Sequence, residues 1–155
     1  MKVNSDYRDL LRSLNEAAVR YLVVGGYARM VHQEPRYTKD LDVWIEAVPA
    51  NAEALLSALR AFGAPTAGIL PADLTQPEVF FQIGVEPVRV DILTSVPGLD
   101  FASAWGRKVT VAFGGVPATV LSWADVQTAK AATNRKQDQK DLKTAARRAR
   151  RKRSR

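Results

Sequence analysis

Residues 21–46 read YLVVGGYARMVHQEPRYTKDLDVWIE, and this stretch decides the fold. It opens with an apolar run, YLVV at 21–24, whose β-branched and aromatic residues predict a short buried strand. Gly25 and Gly26 end the run, and residues 27–32 continue with a helical pattern. A strand that leads through two glycines into a helix lets an anion approach the backbone and its free N–H groups closely.

A second strand is predicted to begin at about residue 41, and its alternation is informative. Strand side chains alternate between two faces, so Leu41, Val43 and Ile45 share an apolar face, while Asp40, Asp42 and Trp44 point to the other. Neighbouring carboxylates repel each other unless a cation lies between them, and Mg²⁺ is held by a few carboxylates plus substrate phosphates. The alternative is a plain β-turn followed by an exposed edge strand, and the two aspartates in register argue against it.

The glycine pair, thirteen further residues and then DLDV at 40–43 resemble the signature of the polymerase-β-like nucleotidyltransferase superfamily. Arg36, Thr38 and Lys39 make the chain most similar to the small prokaryotic members related to AbiEii-type toxins. The resemblance covers residues 20–95 most firmly. It implies an α/β (α+β) nucleotidyltransferase fold, with a small mixed sheet flanked by helices and a C-terminal helical segment.

The resemblance also implies an activity. A nucleotidyl group would pass from an NTP such as ATP to an acceptor hydroxyl, with Mg²⁺ or Mn²⁺ bound by Asp40 and Asp42. Gly25, Gly26 and Lys39 would bind the nucleotide. A third acid on a later strand is part of the superfamily pattern.

Asp91 is the predicted third acid, and the resemblance implies that it joins Asp40 and Asp42 at a second metal ion and helps to deprotonate or orient the acceptor. Residues 79–83 and 88–93 read as a hairpin, and in the second run Arg89 and Asp91 oppose an apolar face. A carboxylate among apolar neighbours needs a charged partner. Taken alone, Arg89 and Asp91 are also explained as a surface ion pair.

A second glycine pair, Gly114-Gly115, serves as a comparison for the first. It joins two strand-like runs, residues 109–113 and 116–121, and no helix start or acid lies nearby. This pattern predicts a hairpin turn with positive φ angles and no phosphate-binding role.

Three helices are predicted around the strands. Residues 6–19 place Tyr7, Leu10, Leu11, Leu14 and Ala18 at helical spacing. A helix from about residue 49 to 62 ends at Gly63. Ser122 is a good N-cap, with Asp125 three positions later in a loose capping box, for a helix toward Thr133.

A further helix is predicted after Asn134. The resemblance implies that Lys130 on the first C-terminal helix and Lys136 on the second face the nucleotide. The equally favoured alternative is a solvated helix face with charge pairs three and four residues apart.

The positive charge of the chain is confined to its C-terminus. Residues 142–155 hold eight of the 23 Lys and Arg and no acid, so that the other 15 face 16 acids. This predicts a nucleotidyltransferase core at 1–121, C-terminal helices packed on it at 122–142, and a disordered basic tail at 143–155. The tail suits RNA or tRNA through counterion release, although a solubilising tail or a fusion scar also explains it.

The composition narrows the remaining classes. Without cysteine there are no disulfides or thiolate metal sites, and no apolar run approaches a membrane span. A cytoplasmic protein without a signal peptide is expected. Two other functions stay open: a catalytically silent nucleic-acid-binding module, and nucleotidyl transfer to a protein or small molecule. If the chain is a toxin, an antitoxin or other partner chain is also expected.

Overall fold

A six-stranded mixed sheet is the centre of the protein. In the computed structural model, which describes residues 5–33, 40–85 and 88–153, the strands are β1 (Tyr21–Val24), β2 (Asp40–Ile45), β3 (Phe80–Val85), β4 (Val88–Leu93), β5 (Val109–Phe113) and β6 (Val116–Val120). The helices are α1 (Ser5–Glu16), α2 (Gly25–His32), α3 (Pro49–Phe62), α4 (Phe101–Gly106) and α5 (Trp123–Arg153), with a 3-10 turn at Pro71–Thr75. The predicted α/β class with a mixed sheet is confirmed.

The strand order β3-β4-β2-β1-β6-β5 places the first two predicted strands in the middle of the sheet. β1 and β2 are antiparallel, with Val24 opposite Asp42, and β2 and β4 are parallel, with Asp42 opposite Asp91. Side chains directly opposite on neighbouring strands share one face. The register therefore brings the end of β1 and two of the predicted acids to one place on the sheet.

The core lies on both faces of the central strands. All four residues of β1 are buried, as are Leu41, Val43 and Ile45 on one face of β2. Trp44, on the face of β2 that carries the aspartates, packs edge-on against Phe101 of α4. The predicted alternation of β2 is confirmed. The face that carries Asp40 and Asp42 becomes apolar only at Trp44, near the end of the strand.

The helix α1 buries the predicted apolar face, with Tyr7, Leu10, Leu11 and Leu14 all nearly inaccessible. Ala18 was predicted to belong to this face, and that prediction is wrong. The helix ends at Glu16, and Ala18 lies in the following turn, exposed, with a φ of 55°. The helix α3 ends as predicted at Gly63, whose φ of 92° provides the left-handed C-cap.

Both predicted hairpins are present. β3 and β4 pair antiparallel, and β5 and β6 pair with Phe113 opposite Val116. Gly114 and Gly115 form the turn of the second hairpin with φ angles of 60° and 88°. Two successive positive φ angles are the requirement of a two-residue type I′ turn, so the hairpin turn predicted for this pair is confirmed.

The C-terminal segment differs from the prediction. One uninterrupted helix, α5, runs from Trp123 to Arg153, so the predicted break after Asn134 is wrong. No Gly or Pro interrupts residues 123–153, and Ala, Lys, Arg and Gln dominate them, whereas a single Asn lowers helix propensity only slightly. The tail expected to be disordered is helical as far as Arg153.

Only the beginning of α5 packs on the core. Val126 and Ala132 are buried, and every described side chain from 133 to 151 is exposed. The division at 121 and 142 stays a prediction. Within residues 5–33, 40–85 and 88–153, no helix is long and apolar enough to span a membrane.

Candidate active site

Two acidic side chains meet at the centre of the sheet. Asp42 on β2 and Asp91 on β4 are opposite each other, and their carboxyl groups are hydrogen-bonded. Asp91 is only 8% exposed. Gln82 on β3 donates from Nε2 to Oδ1 of Asp91 at 3.1 Å. The structure therefore brings two of the three predicted acids into one pair, held on its outer side by an amide.

The negative charge of the Asp42–Asp91 pair is only partly compensated by nearby positive charge. The pKa of Asp42 is raised to about 7, first by burial, then by the hydrogen bond to Asp91 and by the negative charges of Asp91 and Asp40. Arg89 opposes this rise only in part. Asp42 is therefore partly protonated near neutral pH, because burial and the nearby negative charges disfavour its ionised form.

Asp40 is held by an arginine. Nη2 of Arg89 donates to Oδ2 of Asp40 at 2.9 Å across the parallel β2–β4 pair. The sequence left open an Arg89–Asp91 pair, and the structure pairs Arg89 with Asp40 instead. Within one strand, residues two apart are further from each other than residues on adjacent strands. Tyr7 anchors this corner, because its hydroxyl donates to the backbone carbonyl of Arg89 at 3.0 Å.

The three acids also affect the pKa of Tyr7. Its pKa is raised, chiefly by burial and further by the negative charges of Asp40, Asp91 and Asp42, while its hydrogen bond to Arg89 acts in the opposite direction. The phenol is therefore a neutral hydrogen-bond donor beneath the carboxylates at physiological pH.

The carboxylates of Asp42 and Asp91 are ligands that suit a hard divalent cation. Among the residues that the structure describes, no group of three or more His, Cys, Asp and Glu side chains is arranged to hold a metal ion. Asp40 turns toward Arg89, which leaves Asp42 and Asp91 as the close pair. Mg²⁺ is usually bound by one or two carboxylates, with substrate phosphates and water completing its octahedron. The pair fits that pattern, and Asp40 as a third ligand stays a prediction.

The first glycine of the motif lies against this pair. Gly25 begins α2 with a φ of 65°. A Cβ atom added at Gly25 would overlap Oδ2 of Asp42 and lie 3.0 Å from its Cγ. Only glycine has both the backbone freedom and the small size that this position needs. The start of a helix and a carboxylate thus share one edge of the site.

A cavity of about 420 Å³ opens beside this edge. Both glycines, Asp42 and Lys130 contribute to its wall. The rest of the wall comes from the end of β1, from α2, from the end of β4 and the segment after it, from the residue after β6 and from α5: Val24, Arg29, Leu93, Ser95, Val96, Pro97, Leu121, Val126, Ala129, Thr133 and Asn134. Its volume is in the range of small-molecule sites, roughly 300–1,000 Å³. Four predicted site residues therefore belong to one cavity.

Two predicted nucleotide-binding lysines are not in that wall. Lys136 lies in a neighbouring cavity, where its Nζ is 3.4 Å from Oε1 of Glu78. Lys39 lies outside the residues that the structure describes. Their roles toward a nucleotide stay predictions.

Arg29 is a cavity residue that the sequence analysis missed. It is partly buried, and its Nε has no hydrogen-bond partner among the described residues. It follows the glycine pair by one helical turn, and this spacing was the available signal, because residues three and four apart share a helix face. Gln82 was missed as well, and only the pairing of β3 with β4 reveals it.

His32 is structural, in agreement with its predicted role. Its Nε2 is 2.8 Å from the carbonyl oxygen of Leu121, to which it donates, and its ring lies 6.0 Å from that of Trp123. The contact joins the end of α2 to the start of α5, and both helices line the cavity. Ser122 accepts from the N–H of Asp125 as predicted, while the Asp125 carboxylate binds Arg107.

The fold, with a glycine-led helix after β1 and an acidic β2 beside β4, matches the nucleotidyltransferase fold of two solved structures. TM1012 from Thermotoga maritima, a candidate nucleotidyltransferase, has a crystal structure that superposes with a TM-score of 0.69 at 14% identity, covering 95% of this chain and 96% of that one. The solution structure of the antibiotic-resistance factor ANT(2″)-Ia superposes with a TM-score of 0.52 at 16% identity, covering 79% and 66%. No family model matches the sequence, and no curated protein matches it.

Proposed function

We propose that the protein is a metal-dependent nucleotidyltransferase, which moves an NMP group from an NTP to an acceptor hydroxyl and releases pyrophosphate. One observation carries the proposal: the start of α2 at Gly25 is in contact with the Asp42 carboxyl, which is in turn hydrogen-bonded to Asp91. A helix start whose free N–H groups would bind an anion thus lies beside a carboxylate pair. Triphosphate chemistry needs this combination. The nucleotidyltransferase fold supports the same conclusion.

The residues divide into a donor side and an acceptor side. Gly25 and Gly26 would take the β- and γ-phosphates against the N–H groups at the start of α2. Arg29 and Lys130 line the same cavity and would neutralise charge that develops on the departing pyrophosphate. Lys39 and Lys136 remain further proposed contacts to the nucleotide.

Asp42 and Asp91 would hold Mg²⁺ or Mn²⁺, with Asp40 as the proposed third ligand. A divalent ion bound there supplies charge stabilisation to the entering and leaving oxygens of an in-line displacement. Asp91 lies on the side of the pair away from the glycines. Asp91 would therefore orient the acceptor hydroxyl and receive its proton as the new phosphodiester bond forms and the bond to pyrophosphate breaks.

Binding of NTP and metal tests this proposal. Mg²⁺ together with an NTP should raise the melting temperature of the protein, and Asp42→Asn and Asp91→Asn should each remove most of that rise. Asp9→Asn is the matched control, because Asp9 is exposed and, among the described residues, forms an ion pair only with Arg12 in α1. An equal rise in Asp42→Asn and in the unmodified protein would contradict the metal assignment.

Transfer itself is tested with α-labelled NTPs, Mg²⁺ and either total tRNA or cell extract. Label in RNA, protein or a small molecule identifies the acceptor class. RNA or tRNA is the favoured acceptor because of the basic C-terminus. A small-molecule acceptor is the alternative, since an antibiotic-resistance factor shares the fold. Absence of label in any fraction, with NTP binding intact, would favour a silent binding module.

The resemblance to AbiEii-type toxins adds two finer proposals. The chain would act in the cytoplasm, and it would be one component of a toxin–antitoxin pair with the antitoxin as a separate chain. Induced expression should then arrest growth, and Asp42→Asn should relieve the arrest. Unimpaired growth at a verified level of soluble protein would remove the toxin proposal without affecting the enzymatic one.

A further inference from the structure

A single face of α5 carries six cations. With 3.6 residues per turn, positions separated alternately by four and three residues form a stripe along a helix. The stripe, called here the cationic stripe, is made of Lys136, Lys140, Lys143, Arg147, Arg150 and Arg151. All six side chains are exposed. The acids of this part of the helix, Asp138 and Asp141, point to other sides.

The cationic stripe continues the face of α5 that lines the proposed donor cavity. Ala129 and Thr133 lie in the wall of that cavity, and the steps from Ala129 to Thr133 and on to Lys136 are four and three residues. The helix rises 1.5 Å per residue, so the stripe extends roughly 20 Å away from the site. Among the described residues, the side chains of Lys140, Lys143 and Arg147 make no hydrogen bond or ion pair.

A second cavity lies where the stripe meets the core. It measures about 430 Å³ and shares the wall formed by Leu93, Ser95, Val96 and Pro97 with the proposed donor cavity. Lys136, the first residue of the stripe, lines it and pairs with Glu78. Glu78 lines the same cavity, so the pair contributes no net charge to its wall.

An exposed aromatic ring forms part of this second cavity. Phe80 on the edge strand β3 is 54% exposed. It precedes Gln82 by two residues, so both project from the sheet face that carries Asp91, to which Gln82 is bonded. Exposed aromatic rings can stack against nucleobases. Removing such a ring by substitution with alanine weakens nucleic-acid binding about fivefold or more for each stacked base.

We infer that the cationic stripe and the Phe80 cavity together bind the end of a polynucleotide strand, with the phosphates on Lys140, Lys143 and Arg147 and the terminal base on Phe80. This inference rests on the proposed function and names its acceptor. The terminal hydroxyl would then lie on the Asp91 side of the carboxylate pair, opposite the donor triphosphate. No atom of the strand needs to enter the donor cavity.

The phosphate contacts are tested by RNA binding without NTP or metal. The double variant Lys140→Gln/Arg147→Gln should lower the slope of log K against log salt for single-stranded RNA by about 1.4, since each phosphate contact contributes about 0.7. Arg135→Gln/Arg148→Gln removes the same charge from α5 at positions about 60° or more around the helix from the stripe, and should change the slope little. Equal changes in both variants would overturn the stripe.

The stacking contact is tested with RNA that carries 2-aminopurine at its 3′ end, its 5′ end or an internal position. Fluorescence of a terminal probe should be quenched on binding, and Phe80→Ala should remove the quenching and weaken binding about fivefold or more. Leu70→Ala is the control, because Leu70 is also a large exposed apolar residue. Quenching of the internal probe alone, or quenching unaffected by Phe80→Ala, would overturn the assignment.

These measurements separate the two proposals. If Mg²⁺ and NTP stabilise the protein but RNA binding is independent of the stripe, only the acceptor inference fails. DNA in place of RNA with the same probes determines which sugar is accepted. The acceptor inference would also be overturned if the protein bound an acidic peptide tightly and the unmodified protein bound RNA no better than the Lys140→Gln/Arg147→Gln variant.

Discussion

Gly25 and Asp42 are in direct contact: the first residue of α2 occupies the space where any Cβ atom would overlap the Asp42 carboxylate. This contact fixes the distance between the helix start and the acid pair. It also distinguishes the two glycines of the motif, because Gly25 has a positive φ of 65° as well as no free space. The contact is the structural reason for a glycine at this position.

Gly25→Ala should therefore destabilise the protein by several kcal/mol, or displace Asp42, because it combines left-handed strain of about 1–2 kcal/mol with a steric overlap. Gly115→Ala should be milder, since Gly115 has a φ of 88° but open space around a Cβ atom. Urea denaturation measures both variants. Mg²⁺-dependent NTP binding should be lost in folded Gly25→Ala only. Equal destabilisation and equal NTP affinity in the two variants would mean that the contact with Asp42 has no consequence.

Stability should fall as the pH rises in the absence of metal. The pKa of Asp42 is about 7 in the folded protein and near 3.8 when unfolded, so between these values the folded state binds more protons. The free energy of unfolding should decrease from about pH 4 to pH 7 and then level off. Asp42→Asn should remove most of this fall. At pH 8 the variant should be more stable than the unmodified protein by roughly 2–4 kcal/mol, because one pKa unit corresponds to about 1.4 kcal/mol.

Denaturation with EDTA at several pH values measures this. Asp9→Asn should keep the pH dependence of the unmodified protein, because Asp9 is exposed and paired with Arg12. Saturating Mg²⁺ and NTP should flatten the profile of the unmodified protein, since a bound cation favours the ionised pair. A profile that rises between pH 5 and pH 7 without metal would be inconsistent with a raised pKa at Asp42.

Arg89→Gln should raise the pKa of Asp42 further. Arg89 is the positive charge that lowers this pKa in part, and the change also leaves Asp40 without its guanidinium. Carboxyl-carbon NMR titration reports the pKa directly. Arg12→Gln removes a charge from an exposed pair in α1 and should leave it unchanged. A lower pKa of Asp42 in Arg89→Gln would contradict the assignment of Arg89 as the charge that lowers this pKa.

The two predicted lysines of α5 should behave differently toward NTP. Lys130→Gln should weaken NTP binding, by about tenfold for the loss of one charge-assisted contact of roughly 1.5 kcal/mol, because Lys130 lines the cavity next to Gly25. Lys136→Gln should have a smaller effect, since Lys136 lies in the second cavity beside Glu78. Calorimetric titration decides between them. The reverse order would assign the triphosphate to the second cavity.

The sequence by itself determined the elements that carry the site. The apolar run, the two glycines and the alternating aspartates predict β1, the start of α2 and the polar face of β2, because these depend on local backbone rules and on period-two alternation. Lys130 lies on the helix that the Ser122 N-cap predicts. The second glycine pair differs from the first in its flanking strands and in the lack of a helix start or acid nearby.

Only the tertiary structure decided which charges meet. Local sequence could not select between Arg89–Asp91 and Arg89–Asp40, because the choice depends on the parallel pairing of β2 with β4 across 49 residues. The contact of Gly25 with Asp42 and the bond from Gln82 to Asp91 likewise need the strand order. The continuous α5 was missed for a different reason: helix propensity differences at one Asn are small, whereas unbroken helical residues on both sides propagate cooperatively.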